Sequence, residues 1–238
     1  LVTLSAIVSA YYAEEYLKGR LENLFGQSLV PEVIIVCKEG SKEHEIAKAF
    51  DAKIITTQDI PTIYEAWNMA IKQASGEYIT SANCDDRLYP RALEKLASVL
   101  DQHENYAVAY FYVDRVHEID GKPFDVFQWM QGGIVELLTK GCFLGPMPMW
   151  RKSLHDTYGY FLESDMLANG ETYKYQVVSD YEFWMRLAEN KEKFFLIQEI
   201  LGAYLDRPES AEKREPLRRI WEDARMKAKY RSKYERIK

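Results

Sequence analysis

Cysteine is scarce in this chain: Cys37, Cys84 and Cys142 are odd in number and far apart. That pattern argues against a disulfide framework and fits thiols packed as small apolar groups in a reducing, cytoplasmic compartment. The four histidines, His44, His103, His117 and His155, keep no zinc spacing with those cysteines. No apolar run approaches the ~18 residues that span a bilayer, and no charged-then-apolar leader opens the chain. Leu1 stands first where an initiator Met would be, as expected of a piece cut from a longer protein. Glycine-rich phosphate loops are also missing. No G-x-G-x-x-G follows the first apolar run, which argues against a dinucleotide fingerprint, and no G-x-x-x-x-G-K-[ST] P-loop is present. Without G-x-S-x-G there is no hydrolase elbow.

What is there suits a sizeable α/β core. The 238 residues are 47% hydrophobic and 13% aromatic, enough for one large domain or two small ones. Short apolar runs at Leu4 to Val8, Val33 to Cys37, Lys53 to Thr57, Tyr78 to Ala82 and Tyr106 to Val113 read as strands. Between them, Leu17, Leu21 and Leu24, then Ile63 to Ala74, then Leu93 to Leu100, recur at helical spacing. Alternating strand and helix predicts a mainly parallel sheet flanked by helices. Downstream, Glu118 to Pro123 reads as a hairpin turn, Asp180 to Glu189 as an amphipathic helix capped by Ser179, and Leu196 to Tyr204 as a last strand. A charged helix from about Pro216 carries Leu217, Ile220, Trp221 and Ala224 on one face.

Charge is segregated. The net charge is -6, yet residues 213–238 hold eleven Lys/Arg against four Asp/Glu, leaving about -13 on the rest. Such a tail reads as a solvated helix, or as a contact with an anionic membrane face or a partner domain. It lacks any nucleic-acid reading motif, so no nucleic acid is expected.

One stretch concentrates the chemistry: Gly76-Glu77-Tyr78-Ile79-Thr80-Ser81-Ala82-Asn83-Cys84-Asp85-Asp86-Arg87. A buried strand runs straight into adjacent carboxylates, and open α/β sheets bind ligands beyond the carboxyl ends of their strands. Hard oxygen ligands there suit Mg²⁺ or Mn²⁺, which takes its remaining ligands from water and substrate phosphates. The competing role is a cap for the helix entered at Pro90; Asp86 is read as the cap-side residue and Asp85 as the ligand. Gly145, Pro148, Trp150 and Arg151 fall in a bent, Gly- and Pro-rich segment, where Trp150 offers either core packing or a platform for a sugar ring.

In order and spacing, these stretches resemble the family-two inverting glycosyltransferases with the GT-A fold, over about residues 4 to 210. The resemblance is carried by Ser5 to Tyr12 with Glu14 to Leu17, by Val33 to Ser41, by Ala66-Trp67-Asn68-Met69-Ala70-Ile71, by Asn83-Cys84-Asp85-Asp86, by Gly145 to Arg151, and by Ser179 to Ala188. It implies a nucleotide-sugar half at about 1–115 and an acceptor half at about 116–212, with the charged helix 213–238 following. It implies a nucleotide-diphosphate sugar donor, foremost a UDP-sugar, and a carbohydrate, lipid-linked or protein acceptor. Ser9, Ala10, Tyr11, Glu39, Trp67, Asn68, Asn83, Cys84 and Arg207 would border the donor, Asp85 and Asp86 would hold the metal, and Asp180 would deprotonate the acceptor hydroxyl. Three positions depart from the family pattern: Asn83 replaces an Asp, Lys38-Glu39 replaces an acidic pair, and Ser179 replaces a Glu. The alternatives are a non-catalytic nucleotide-sugar-binding or docking domain and, on a related fold, a nucleotidyltransferase.

Overall fold

The computed structural model describes residues 3–208 and 210–234, so the last four residues of the 213–238 segment lie outside the described residues. The chain opens with β1 (Leu4–Ala10), α1 (Glu14–Phe25), β2 (Glu32–Lys38), α2 (Lys42–Ala47), β3 (Lys53–Thr57), α3 (Ile63–Gln73) and β4 (Tyr78–Ser81). It continues through β5 (Arg87–Leu88), α4 (Ala92–Gln102), β6 (Val108–Val116), β7 (Asp125–Phe127), α5 (Ile134–Lys140), β8 (Met149–Arg151) and α6 (Leu154–Tyr158). It closes with β9 (Ser164–Met166), β10 (Thr172–Lys174), α7 (Ser179–Glu189), β11 (Phe194–Leu205), α8 (Ala211–Arg214) and α9 (Pro216–Tyr234).

One sheet runs through both halves of the chain in the order β3-β2-β1-β4-β8-β6-β11-β5, with β7 added beside β6. β1 to β4 pair in parallel, as do β6 and β11, while β8, β5 and β7 run antiparallel to their neighbours. This is the expected mixed, mainly parallel α/β sheet flanked by helices. Parallel strands covered on both faces read as near-continuous apolar runs, and Ala6, Ile7, Val8, Ile34, Ile35 and Val36 are all fully buried. One face packs on α3, α7 and α9 through Trp67, Ile71, Trp184 and Met226. The other packs on α1 and α4 through Leu17, Leu21, Leu93 and Leu96. Helix α3 starts with a capping box: Glu65 N donates to Thr62 Oγ1 at 3.2 Å, and Thr62 N donates to Glu65 Oε2 at 2.7 Å. Gly76 allows the chain to enter β4 against β1, because a Cβ there would lie 2.5 Å from Ser5 N.

Three local expectations are corrected, and one is completed. Ser179 does not cap α7; it is its first residue, and its hydroxyl donates to Leu162 O at 2.6 Å. Neither Asp85 nor Asp86 caps α4, whose N-cap position is Arg91. On α9, Leu217, Ile220 and Trp221 share one face as expected, and that face is exposed, while Glu222, Met226 and Tyr230 point inward. Trp150 is not a surface platform: it is fully buried between β4 and β6, and its Nε1 donates to His155 Nε2 at 2.9 Å.

That last bond ties stability to pH. With Nε2 accepting, Nδ1 carries the proton and donates to Gly159 O at 3.1 Å. Burial pushes the imidazole down to about 4 from an ordinary 6.5. The folded ring is therefore neutral where the unfolded one binds a proton, so stability rises with pH from about 4 to 6.5 and is flat above. Urea titrations should show a loss of about 3 kcal/mol from this group on going from neutral pH to pH 4, and His155→Gln should remove that part of the slope.

Candidate active site

A cleft of about 1090 Å³ opens beyond the carboxyl ends of β1 and β4. Two residues past β1, Tyr12 is held in the left-handed region at φ 55° and is 78% exposed, so the backbone is strained where it turns along the cleft. Ser9 and Tyr11 line the wall, and the Tyr11 hydroxyl meets Thr57 Oγ1 at 2.8 Å. Cys84 also lines it, but its thiol donates to Ser9 O at 3.5 Å and burial pushes it up to about 12, so it remains a protonated tie between two strand ends.

The two carboxylates after β4 part company. Asp86 is buried, accepts from Leu205 N at 3.3 Å through Oδ1 and from Asn83 Nδ2 at 3.2 Å through Oδ2. Burial, and Asp85 beside it, push its carboxyl up to about 7. Asp86 therefore ties the end of β4 to β11 and is the more buried of the two carboxylates. Asp85 faces the cleft, where Arg207 grips its Oδ2 through Nε at 2.9 Å and Nη2 at 2.7 Å. The same guanidinium stacks over Tyr16, 4.7 Å from the ring centre. Behind it, Arg115 and Lys213 both pair with Asp206.

Among the described residues, no group of three or more His, Cys, Asp or Glu converges to hold a metal. The donor set does not fit a resident ion. Asp85 is a hard oxygen donor facing the cleft, the ligand type that suits a divalent cation arriving with a phosphorylated substrate.

Across the cleft, Asp180 stands in the first turn of α7. Its Oδ1 accepts from the Tyr64 hydroxyl at 3.1 Å and from Tyr181 N at 2.8 Å. Burial and the adjacent Asp180 charge raise the Tyr64 pKa well above its ordinary value, so Tyr64 stays the donor. The segment leading into α7 is held from below by α9. The fully buried Glu222 carboxylate accepts from the backbone N–H groups of Gln176, Val177 and Val178 at 3.1, 3.0 and 3.1 Å, and from the Tyr173 hydroxyl at 2.7 Å.

Of the residues expected from sequence, Ser9, Tyr11, Trp67, Asn83, Cys84, Asp85, Asp86, Gly145, Pro148, Asp180 and Arg207 line this one cleft. Gly145 sits at φ 74° with Trp129 packed against it, and the Pro148 carbonyl accepts from Thr80 at 3.0 Å. Five others are corrected. Ala10 is buried within the sheet. Glu39 is exposed beyond β2 and bonds to Gln58 rather than facing the cleft. Asn68 is buried, bonding Phe161 through both ends of its amide at 2.8 and 3.1 Å. Trp150 lies in the core, and Arg151 sits at the opposite end of β4, donating to Tyr106 O and Leu100 O at 3.0 and 2.6 Å. Sequence reasoning missed Tyr64, Arg115, Trp129, Asp206 and Glu222. Their signal is spatial: Tyr64 and Asp180 are 116 residues apart.

Residues 5–160 match Glycosyl transferase family 2, and the chain belongs to that family. The matched residues include Asp85 and stop short of Asp180 and Arg207. The putative glycosyltransferase EpsE of Bacillus subtilis is 29% identical over 113 residues, 44% of this chain and 41% of that protein. The uncharacterized glycosyltransferase MJ1057 of Methanocaldococcus jannaschii is 24% identical over 84% of this chain and 70% of that protein. Among solved structures, S. aureus TarS in complex with UDP superposes with a TM-score of 0.71 at 20% identity, over 95% of this chain and 64% of that one. A mannosyltransferase of Pyrobaculum calidifontis in complex with GDP-Man and Mn²⁺ gives 0.60 at 14% identity, over 91% and 60%. The chain thus spans well under two thirds of EpsE. These likenesses confirm the GT-A-type fold.

Proposed function

We propose that the chain transfers a sugar from a nucleotide-diphosphate sugar to an acceptor hydroxyl with inversion, assisted by a divalent cation. The observation that carries this reading is that Asp85 and Asp180, from distant parts of the chain, face one cleft. Family membership supports the transferase class, and the ligands named for the structural neighbours, UDP and GDP-Man with Mn²⁺, support a nucleotide-sugar donor.

In this reading Asp85 and Arg207 receive the donor diphosphate. When bound, a divalent cation offsets negative charge on the departing diphosphate. Arg207 has a second part: phosphate oxygens would compete with Asp85 for its guanidinium, which would leave the Asp85 carboxylate available to hold a divalent cation. Tyr11 and Tyr12 border the nucleoside. Asp180 takes the proton from the acceptor hydroxyl, and the oxygen attacks the anomeric carbon on the face opposite the leaving diphosphate, which inverts the centre. The first turn of α7 favours the ionised carboxylate, and the Tyr64 and Tyr181 donors fix its rotamer. A degenerate, non-catalytic binder would have no use for a carboxylate clamped at this point. The test is calorimetric titration with a panel of nucleoside diphosphates and their sugars, with and without Mn²⁺; at least one member should bind, and more tightly with the ion.

A further inference from the structure

Helix α9 presents a second surface, opposite the face that holds Glu222. Leu217, Ile220 and Trp221, at helical spacing, are 81%, 64% and 41% exposed. Met166, 70% exposed at the end of β9, lies beside them: Arg225 Nη2 donates to Met166 O at 3.2 Å, and the Arg225 guanidinium is 5.6 Å from the Trp221 ring centre. Large apolar groups scattered singly over a surface need no explanation, whereas a group gathered on one helix side marks an interaction surface.

We infer that the first turns of α9, with Met166, dock on an anionic lipid surface. Charge selects this occupant. The patch is set among Arg214, Arg218, Arg219 and Arg225, and residues 213–238 carry eleven basic against four acidic side chains on a protein of net charge -6. An anionic bilayer attracts this helix and repels the remaining body, which orients the molecule as well as binding it. Arg218 and Arg225 pair with Glu215 at 2.9 Å and Asp165 at 2.7 Å. Such exposed pairs contribute little in water, and arginine can extend its apolar stem along the patch while its head reaches lipid phosphates. Leu, Ile and Trp beside arginine are the side chains that settle at the boundary between headgroups and acyl chains. The arrangement is that of a helix lying on a membrane; no helix among the described residues is long and apolar enough to cross one.

The patch is continuous with the cleft, because Pro216, Arg219 and Ile220 also line its rim. Docking would place the cleft mouth at the lipid surface, where an acceptor anchored in that bilayer is presented. This last clause rests on the transfer reading; the docking itself does not.

The experiment is co-sedimentation of the native chain and Leu217→Glu with phosphatidylcholine vesicles, with and without phosphatidylglycerol. Leu217 lines no part of the cleft, so Leu217→Glu should titrate nucleotide-sugar donors as the native chain does. Expected are binding to the phosphatidylglycerol vesicles only, loss of that binding in high salt, and at least a tenfold weakening in Leu217→Glu. Failure to sediment with the anionic vesicles would overturn the inference, as would binding that Leu217→Glu leaves intact. Sedimentation velocity is run alongside: a native dimer that Leu217→Glu converts to monomer would instead assign the face to a second copy of the chain. Donor titration of the same samples without vesicles separates failure of docking from failure of the transfer reading.

Discussion

Asp180→Asn should lower transfer by at least about a thousandfold while leaving donor affinity within about twofold of native. General-base catalysis contributes about 10² to 10⁴ in rate, and an amide cannot take the acceptor's proton. The substitution keeps the local geometry, because the Asn carbonyl can still accept from Tyr64 and from Tyr181 N, as Asp180 Oδ1 does at 3.1 and 2.8 Å. The readout is nucleoside diphosphate released in the presence of acceptor, alongside donor calorimetry. Tyr64→Phe removes only one side of the clamp and should cost about tenfold in kcat with little change in donor KM, within the 10²-fold that a small misplacement can cost. An Asp180→Asn variant that turns over at the native rate would remove Asp180 from the reaction.

Glu222→Ala should be the most destabilising single change in the C-terminal helix, by about 4 kcal/mol in urea titration. It leaves three backbone N–H groups and a phenol without their acceptor in a fully buried site, and each orphaned donor costs about 1 to 3 kcal/mol before water or relaxation recovers part of it. Glu222→Gln retains one acceptor oxygen and should lose about half as much. Because residues 176–178 lead directly into Asp180, both variants should also lower transfer. Tyr230 and Lys229 bond Glu182 of α7 at 2.6 and 3.2 Å, which adds to the grip. A Glu222→Ala variant as stable as native would mean that α9 is an appendage rather than part of the catalytic fold.

The halves of the chain differed in what sequence could convey. β1, β2 and β4 are buried on both faces and α1 and α3 are amphipathic, so hydrophobic period marks these elements and puts Asp85 at a strand end, while β3 is only partly buried. α7 was legible for the same reason. β5 and β7 to β10 span only two or three residues, too short for any period. On α9 the sequence showed which apolar residues share a face but not which face is inward, because the central buried side chain is a glutamate. Trp150 was ambiguous in principle: a core indole and a sugar platform are the same residue until its burial is known. At the site, Asp85 followed from its place at a strand end and Asp180 from motif resemblance, but the Arg207 grip on Asp85 and the Tyr64 bond to Asp180 span more than a hundred residues and follow only from the fold.

The most direct test of the account is donor titration of native chain against Asp85→Ala, with and without Mn²⁺. A nucleoside-diphosphate sugar should bind the native chain, bind more tightly by about tenfold or more with the ion, and lose that ion-dependent gain in Asp85→Ala. Equal, ion-dependent binding by both proteins would contradict the assignment of Asp85, and a folded native chain that binds no member of the panel would contradict the donor site itself.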